Sequence, residues 1–153
     1  MKKPKTLSFT IERTIPAHID RVFAGWLNPK IAGTIWNAAD SFQMDPRVDG
    51  LFYWSLQGTA HYGRFTEIKK GSRIRHTWMS PNTLGQESDV TVTFKKKGES
   101  TVMTIVHSGL PDHKLSHGHL RGWTYFTGLY REQFGDGSKK KFSWDEAHPS
   151  KKK

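Results

Sequence analysis

Four histidines carry most of this sequence's capacity for acid–base chemistry: His61, His76, His107 and His119. An imidazole titrates near neutral pH, so one turned into a pocket can hold a ligand by a hydrogen bond or move a proton. His76 shares one face of a strand-like segment with Trp78, His107 is in phase with Met103 and Ile105, and His119 projects near Trp123 and Tyr130. A lone histidine more often satisfies a buried partner or faces water, and that plainer role stands beside the chemical one.

His113, His117 and His119 raise the question of a metal. His113 and His117 are one helical turn apart, but His119 points well away from His117, and Asp112 is the one carboxylate at hand. A divalent ion wants three or four converging ligands, so no metal and no other cofactor is expected. Cysteine is absent, which excludes disulfides and thiolate nucleophiles. Nothing resembles a serine nucleophile elbow or a phosphate-cradling glycine loop, so no catalytic residue is named. Aromatic residues, by contrast, are abundant: six Trp, nine Phe and four Tyr in 153 residues. Trp26, Trp36, Trp54, Trp78 and Trp123 all fall on periodic segments. Each alone is best read as core filling; together they would suit the walls of a pocket for an apolar or aromatic molecule.

The elements that must position these residues follow from the periodicity. The organising stretch runs from His107 to Phe134. On a helix, Leu115, His119, Leu120, Trp123, Phe126, Leu129, Tyr130 and Phe134 crowd one side, with Lys114, Arg121 and Glu132 opposite. Gly118, Gly122 and Gly128 would each cost that helix about 1 kcal/mol relative to Ala, so packing must hold it. Gly118 and Gly122 are expected to let another backbone come close. Ahead of it, Leu7, Phe9, Ile11 and Ile15 alternate as a strand, with Arg13 breaking the inward set. Ile19, Val22, Phe23 and Trp26 then form a short helix, and Asn28-Pro29 can cap a second one bearing Ile31, Ile35 and Trp36. From Ser41 to His107 the pattern is nearly all strand: Phe42–Asp45, Leu51–Gln57, His61–Ile68, Arg73–Met79, Val90–Phe94 and Thr101–His107. The short connections demand antiparallel pairing.

The net charge is +10, but the lysines before the first strand and the lysine-rich tail from Ser138 on supply most of it. Solvated lysine tails explain it better than nucleic acid does, and nucleic acid is not expected as a partner. No apolar run approaches the ~18 residues of a membrane span, and Met1–Lys5 leads into no secretory signal. A cytoplasmic protein, monomer or homodimer, is expected.

Several motifs together resemble a known family. Ile15-Pro16-Ala17, Arg21-Val22-Phe23-Ala24-Gly25-Trp26 and Asn28-Pro29 come first. Gly58, Gly63-Arg64-Phe65 with Ile68, His76-Thr77-Trp78, Thr101 to Leu110, and His119-Leu120-Arg121-Gly122-Trp123 with Leu129 follow in order. This set is similar to the family of the activator of heat-shock protein 90 ATPase homologue, within the START, Bet v 1-like and polyketide-cyclase (SRPBCC) superfamily. The resemblance implies an α+β helix-grip fold: a curved antiparallel sheet of about six or seven strands around a long C-terminal helix, two short helices after the first strand, and a cavity between sheet and helix. The expected organisation is a basic segment over 1–6, a single domain over 7–135 and a flexible tail over 136–153. The expected ligand-binding residues are Trp54, Phe65, His76, Trp78, His107, His119, Trp123, Phe126 and Tyr130. The leading expectation is binding of a small hydrophobic, lipid-like or aromatic molecule. The alternatives are a co-chaperone-like module acting on a chaperone ATPase, with a place in the stress response, and a cyclase or hydrolase using His76 or His107 as acid or base.

Overall fold

A computed structural model of the chain describes residues 5–28, 36 and 39–136. Alternating apolar residues produce β1 (Thr6–Ile15), and Pro16 ends it. The change of period at Ile19 starts α1 (Ile19–Leu27), where the His18 side chain accepts from the Asp20 amide and Val22, Phe23 and Trp26 turn inward. The second short helix expected after Asn28 falls outside the described residues, apart from Trp36. That indole is buried and donates to the Trp26 carbonyl at 2.6 Å. The lysine tail also lies outside them.

Six further strands follow: β2 (Ser41–Met44), β3 (Leu51–Leu56), β4 (Thr59–Lys69), β5 (Arg73–Trp78), β6 (Ser88–Lys97) and β7 (Ser100–Pro111). With β1 they form one antiparallel sheet in the order β1-β7-β6-β5-β4-β3-β2. Tight turns set the register. Gln57 and Gly58, both with positive φ, close the β3–β4 hairpin between paired Leu56 and Thr59, the geometry that matches strand twist. Register irregularities between Leu7 and Phe9 on β1 and between Phe65 and Glu67 on β4 interrupt the ladders, and such bulges bend a strand.

The register carries one row of inward residues across the sheet: Phe9 opposite His107, His107 opposite Val90, Val90 opposite His76, and His76 opposite Phe65. This inner face is covered by α1 and by the long helix α2 (Lys114–Asp136). Full burial of each large apolar side chain contributes roughly 1.5–3 kcal/mol, and here the deepest are Trp26, Trp36, Trp54, Tyr130 and Phe65. Arg13, the residue out of pattern on β1, reaches α2 and donates to Thr127 Oγ1 at 3.1 Å and to the Thr124 carbonyl at 3.0 Å. A cation at an inward position is tolerated because it ends on oxygen acceptors of the helix.

Candidate functional site

Between the sheet's inner face and the first half of α2 lies a cavity of about 300 Å³. β3 supplies Trp54 and Leu56, β4 Thr59 and His61, β5 Trp78, and the loop after β5 Asn82. The remaining wall is α2: Lys114, Leu115, Gly118, His119, Gly122, Trp123 and Phe126. The short 3-10 turn Pro81–Thr83, capped by Ser80, fixes the loop, and Ser116 Oγ ties it to α2 by donating to the Asn82 carbonyl at 2.8 Å. The walls are built of rings in mutual contact. Trp78 lies 5.1 Å from Trp123 and 5.8 Å from Trp54, and Phe126 stands edge-on to Trp54 at 5.8 Å between ring centroids.

Of the residues expected to bind, Trp54, Trp78, His119, Trp123 and Phe126 line this cavity; Phe65, His76, His107 and Tyr130 do not. Phe65 is fully buried between Phe52 and His76. His76 gives its Nδ1 proton to the Thr77 carbonyl at 2.9 Å, and its Nε2 accepts from Trp26 Nε1 at 3.2 Å. His107 Nδ1 accepts from Trp123 Nε1 at 2.9 Å, its Nε2 bonds Ser88 Oγ at 2.8 Å, and Ser88 Oγ donates to the Trp78 carbonyl at 2.7 Å. Both ring nitrogens of each histidine are thus committed inside the protein. Burial holds His76 down at about 4 and His107 at about 2, the latter helped by repulsion from His119 and His76. These are neutral structural imidazoles, and in this arrangement neither has a nitrogen free to take a substrate proton. Tyr130 donates its hydroxyl to the Val22 carbonyl, clamping α2 to α1, and burial pushes its phenol above the usual range.

The two imidazoles on the cavity wall are His61 and His119. His61 Nδ1 donates to the Trp54 carbonyl at 3.2 Å, and burial lowers its pKa to about 4 against the raising effect of that bond. His119 Nδ1 donates to the Ser116 carbonyl at 2.9 Å, and its pKa is lowered, again by burial first. The neighbouring histidines do not converge on one another. His113 Nδ1 accepts from the Leu115 amide, His117 pairs with Asp112 at 3.2 Å, and no group of three or more potential ligands converges among the described residues.

This combination of curved sheet and gripping helix has known counterparts. The family model described as Activator of Hsp90 ATPase homolog 1-like protein matches residues 16–129. The chain belongs to this family. A comparison with curated proteins finds no match. Among solved structures, the Aha1 dimer from Colwellia psychrerythraea is 9% identical, with a TM-score of 0.69 over 86% of this chain and 98% of that one. Protein CV1439 from Chromobacterium violaceum is 23% identical, with a TM-score of 0.66 over 83% and 96%. CalU16 from Micromonospora echinospora is 18% identical, with a TM-score of 0.66 over 85% and 77%. At these identities the likeness is one of fold, and the fold is the helix-grip one. No helix among the described residues is long and apolar enough to cross a membrane.

In this family member the cavity wall also includes residues that the sequence pattern did not single out for binding: Leu56, Thr59, Asn82, Lys114, Leu115 and the two glycines. Gly118 and Gly122 make no close backbone contact. A Cβ at either would meet nothing within 4 Å, so these glycines leave open the space that other side chains would fill. Their position beside His119 and Trp123 on one helical face was the available signal. The loop residue Asn82 has no periodicity to betray it.

Proposed function

We propose that this protein is a cytoplasmic binding protein for a small, ring-bearing apolar molecule held between the sheet and α2. The observation that carries the proposal is the cavity itself: about 300 Å³, walled by the rings of Trp54, Trp78, Trp123 and Phe126, with Thr59, His61, Asn82, Lys114 and His119 as its polar side chains. A concave, largely apolar space with a small number of polar anchors is the usual form of a small-molecule site. Flat rings bury large area at low entropic cost, which favours an aromatic occupant over a flexible chain.

Gly118→Leu tests it: Gly118 lines the cavity and a Cβ there meets nothing within 4 Å, so the longer side chain is expected to occupy part of that space. Native mass spectrometry and calorimetry against a library of aromatic and lipid-like compounds are expected to find binding by the wild type and none by the variant, with stability retained. A wild type that retains no compound from such a library sinks the proposal.

A second reading follows from the family's name, activation of a chaperone ATPase. Its support here is the exposure of two large apolar side chains, Leu51 and Tyr62, at 60% and 48%. Stimulation of a purified chaperone's ATPase rate, lost in Leu51→Ser/Tyr62→Ser, would favour it; no stimulation would end it.

A further inference from the structure

The two imidazoles of the cavity wall stand on different elements, His61 on β4 and His119 on α2. Each spends Nδ1 on a backbone carbonyl, His61 on Trp54 and His119 on Ser116. A carbonyl can only accept, so Nδ1 carries the proton of each neutral ring and Nε2 is left as a bare acceptor. Burial keeps both rings neutral at pH 7, since it lowers each pKa from 6.5, that of His61 to about 4.

The two acceptors are not equally available. The Thr59 carbonyl also favours a proton on the His61 ring. The His119 ring has the Ser116 carbonyl alone, and its Nε2 has no hydrogen-bond partner among the described residues. That nitrogen is nevertheless not sealed in, because the buried side-chain nitrogens and oxygens without a partner among those residues are Trp54 Nε1 and Trp78 Nε1. His119 is half-buried and reaches from α2 toward β7, its ring 5.0 Å from that of His107. An accessible, unpaired acceptor thus sits on a residue of the cavity wall. Such a group is satisfied while water reaches it and penalised once a ligand lacking a donor displaces that water.

The rest of the lining narrows the donor. It contains no aspartate or glutamate, and its one charged side chain is the cationic Lys114. A ligand ammonium would meet no counter-charge there. A carboxylate has no proton to give at pH 7, and to bind one Nε2 would have to take up a proton that burial resists. Lys114 is exposed, so its screened charge offers an anion little in return. A neutral O–H or N–H on an aromatic ring meets all of these conditions.

Resting on the cavity reading above, we propose that the ligand is an aromatic molecule with a neutral hydrogen-bond donor, a phenol-type O–H or an aryl N–H, which it gives to His119 Nε2 while its ring lies among the tryptophans of the wall.

Matched probes test this on the full chain: naphthalene, 2-naphthol, 2-methoxynaphthalene and 2-naphthoate share a ring system and differ in one substituent. By calorimetry at pH 7, 2-naphthol is expected to bind about tenfold more tightly than the hydrocarbon or the ether, the consequence of burying an unpaired acceptor, and the carboxylate more weakly than the naphthol. Chain labelled with ¹⁵N-histidine reads the contact directly. The naphthol is expected to move the bare Nε2 signal of His119 upfield, as accepting a hydrogen bond does, and the ether to leave it in place. His119→Phe keeps a ring and removes the acceptor, and there the preference for naphthol over ether is expected to shrink to about twofold or less; should that variant fail to fold, the wild-type spectra, with the ring signals assigned through the His119 backbone, still decide. Equal binding of naphthol and ether, tightest binding of the carboxylate, or a His119 Nε2 signal unmoved by bound naphthol overturns this inference and leaves the cavity reading standing. No binding by any probe overturns both.

Discussion

Trp123 Nε1 and His107 Nδ1 lie 2.9 Å apart, and this one bond fixes the tautomer of a buried imidazole. Because the indole can only donate, Nδ1 must be the bare nitrogen and Nε2 must carry the proton. That proton goes to Ser88 Oγ at 2.8 Å, and the serine's own goes to the Trp78 carbonyl at 2.7 Å. The chain therefore links a helix residue on the cavity wall to the strand that bears another.

Substituting Trp123 tests the two parts of its role separately. Trp123→Phe keeps most of the ring but strands His107 Nδ1, and a buried acceptor left unpaired costs about 1–3 kcal/mol. Trp123→Ala also opens a cavity, for a total of about 3–5 kcal/mol. Urea unfolding at pH 7 measures both. Equal losses in the two variants would mean that the hydrogen bond alone matters there, and no loss in Trp123→Phe would mean that packing alone does.

The buried histidines predict an acid-labile fold. His61 and His76 are held at about 4 and His107 at about 2, all from an ordinary 6.5. As pH falls through 6.5 the unfolded chain takes up protons that the folded chain refuses until those lower values. Stability is thus complete above about pH 6.5 and declines below it, each imidazole adding at most about 1.4 kcal/mol per pH unit. Urea midpoints are expected to drop between pH 7 and pH 5, and His76→Gln to lessen that slope. A flat profile over this range would contradict the burial of these neutral rings.

Two glycines predict opposite outcomes for the same substitution. A Cβ at Gly63 would collide with the Thr77 carbonyl and the Phe52 ring, so Gly63→Ala is expected to cost about 1–3 kcal/mol as overpacking. At Gly122 the same methyl meets open space, and Gly122→Ala is expected to gain about 0.5–1 kcal/mol from helix propensity. Thermal unfolding of the two variants side by side checks the pair.

What the sequence revealed was phase, and what it concealed was partnership. Period-two alternation turned His76 and His107 inward correctly, since both sit in one row across the sheet. It could not show that Trp26, Trp123 and Ser88 would claim their ring nitrogens, because those contacts join segments 50, 16 and 19 residues apart. Tyr130 was lost from the pocket in the same way, to the carbonyl of Val22 across 108 residues. The wall residues Trp54, Trp78, Trp123 and Phe126 were legible, because large rings on inward phases can only be core or cavity lining. Which of the two depends on where α2 leaves space, and Gly118 and Gly122 decide that by lacking side chains.

Arg13 supplies the last prediction. It stands opposite Met103 among inward residues of β1, where an aliphatic side chain would satisfy the pattern. Its guanidinium instead holds Thr127 Oγ1 and the Thr124 carbonyl of α2, two bonds in a planar fork that an ammonium does not reproduce. Arg13→Met is expected to cost about 1–3 kcal/mol, as hydrogen bonds to charged groups do, and Arg13→Lys to recover only part of it. Thr124 lies near the cavity end of the helix and Thr127 beyond it, so the loss concerns how firmly α2 is gripped more than what lines the cavity. Hydrogen exchange is therefore expected to quicken at amides from Thr124 to Phe134 in Arg13→Met, while those of β5 and β6 remain protected. Uniform acceleration across the sheet would show that the arginine supports the whole fold and not the seat of its helix.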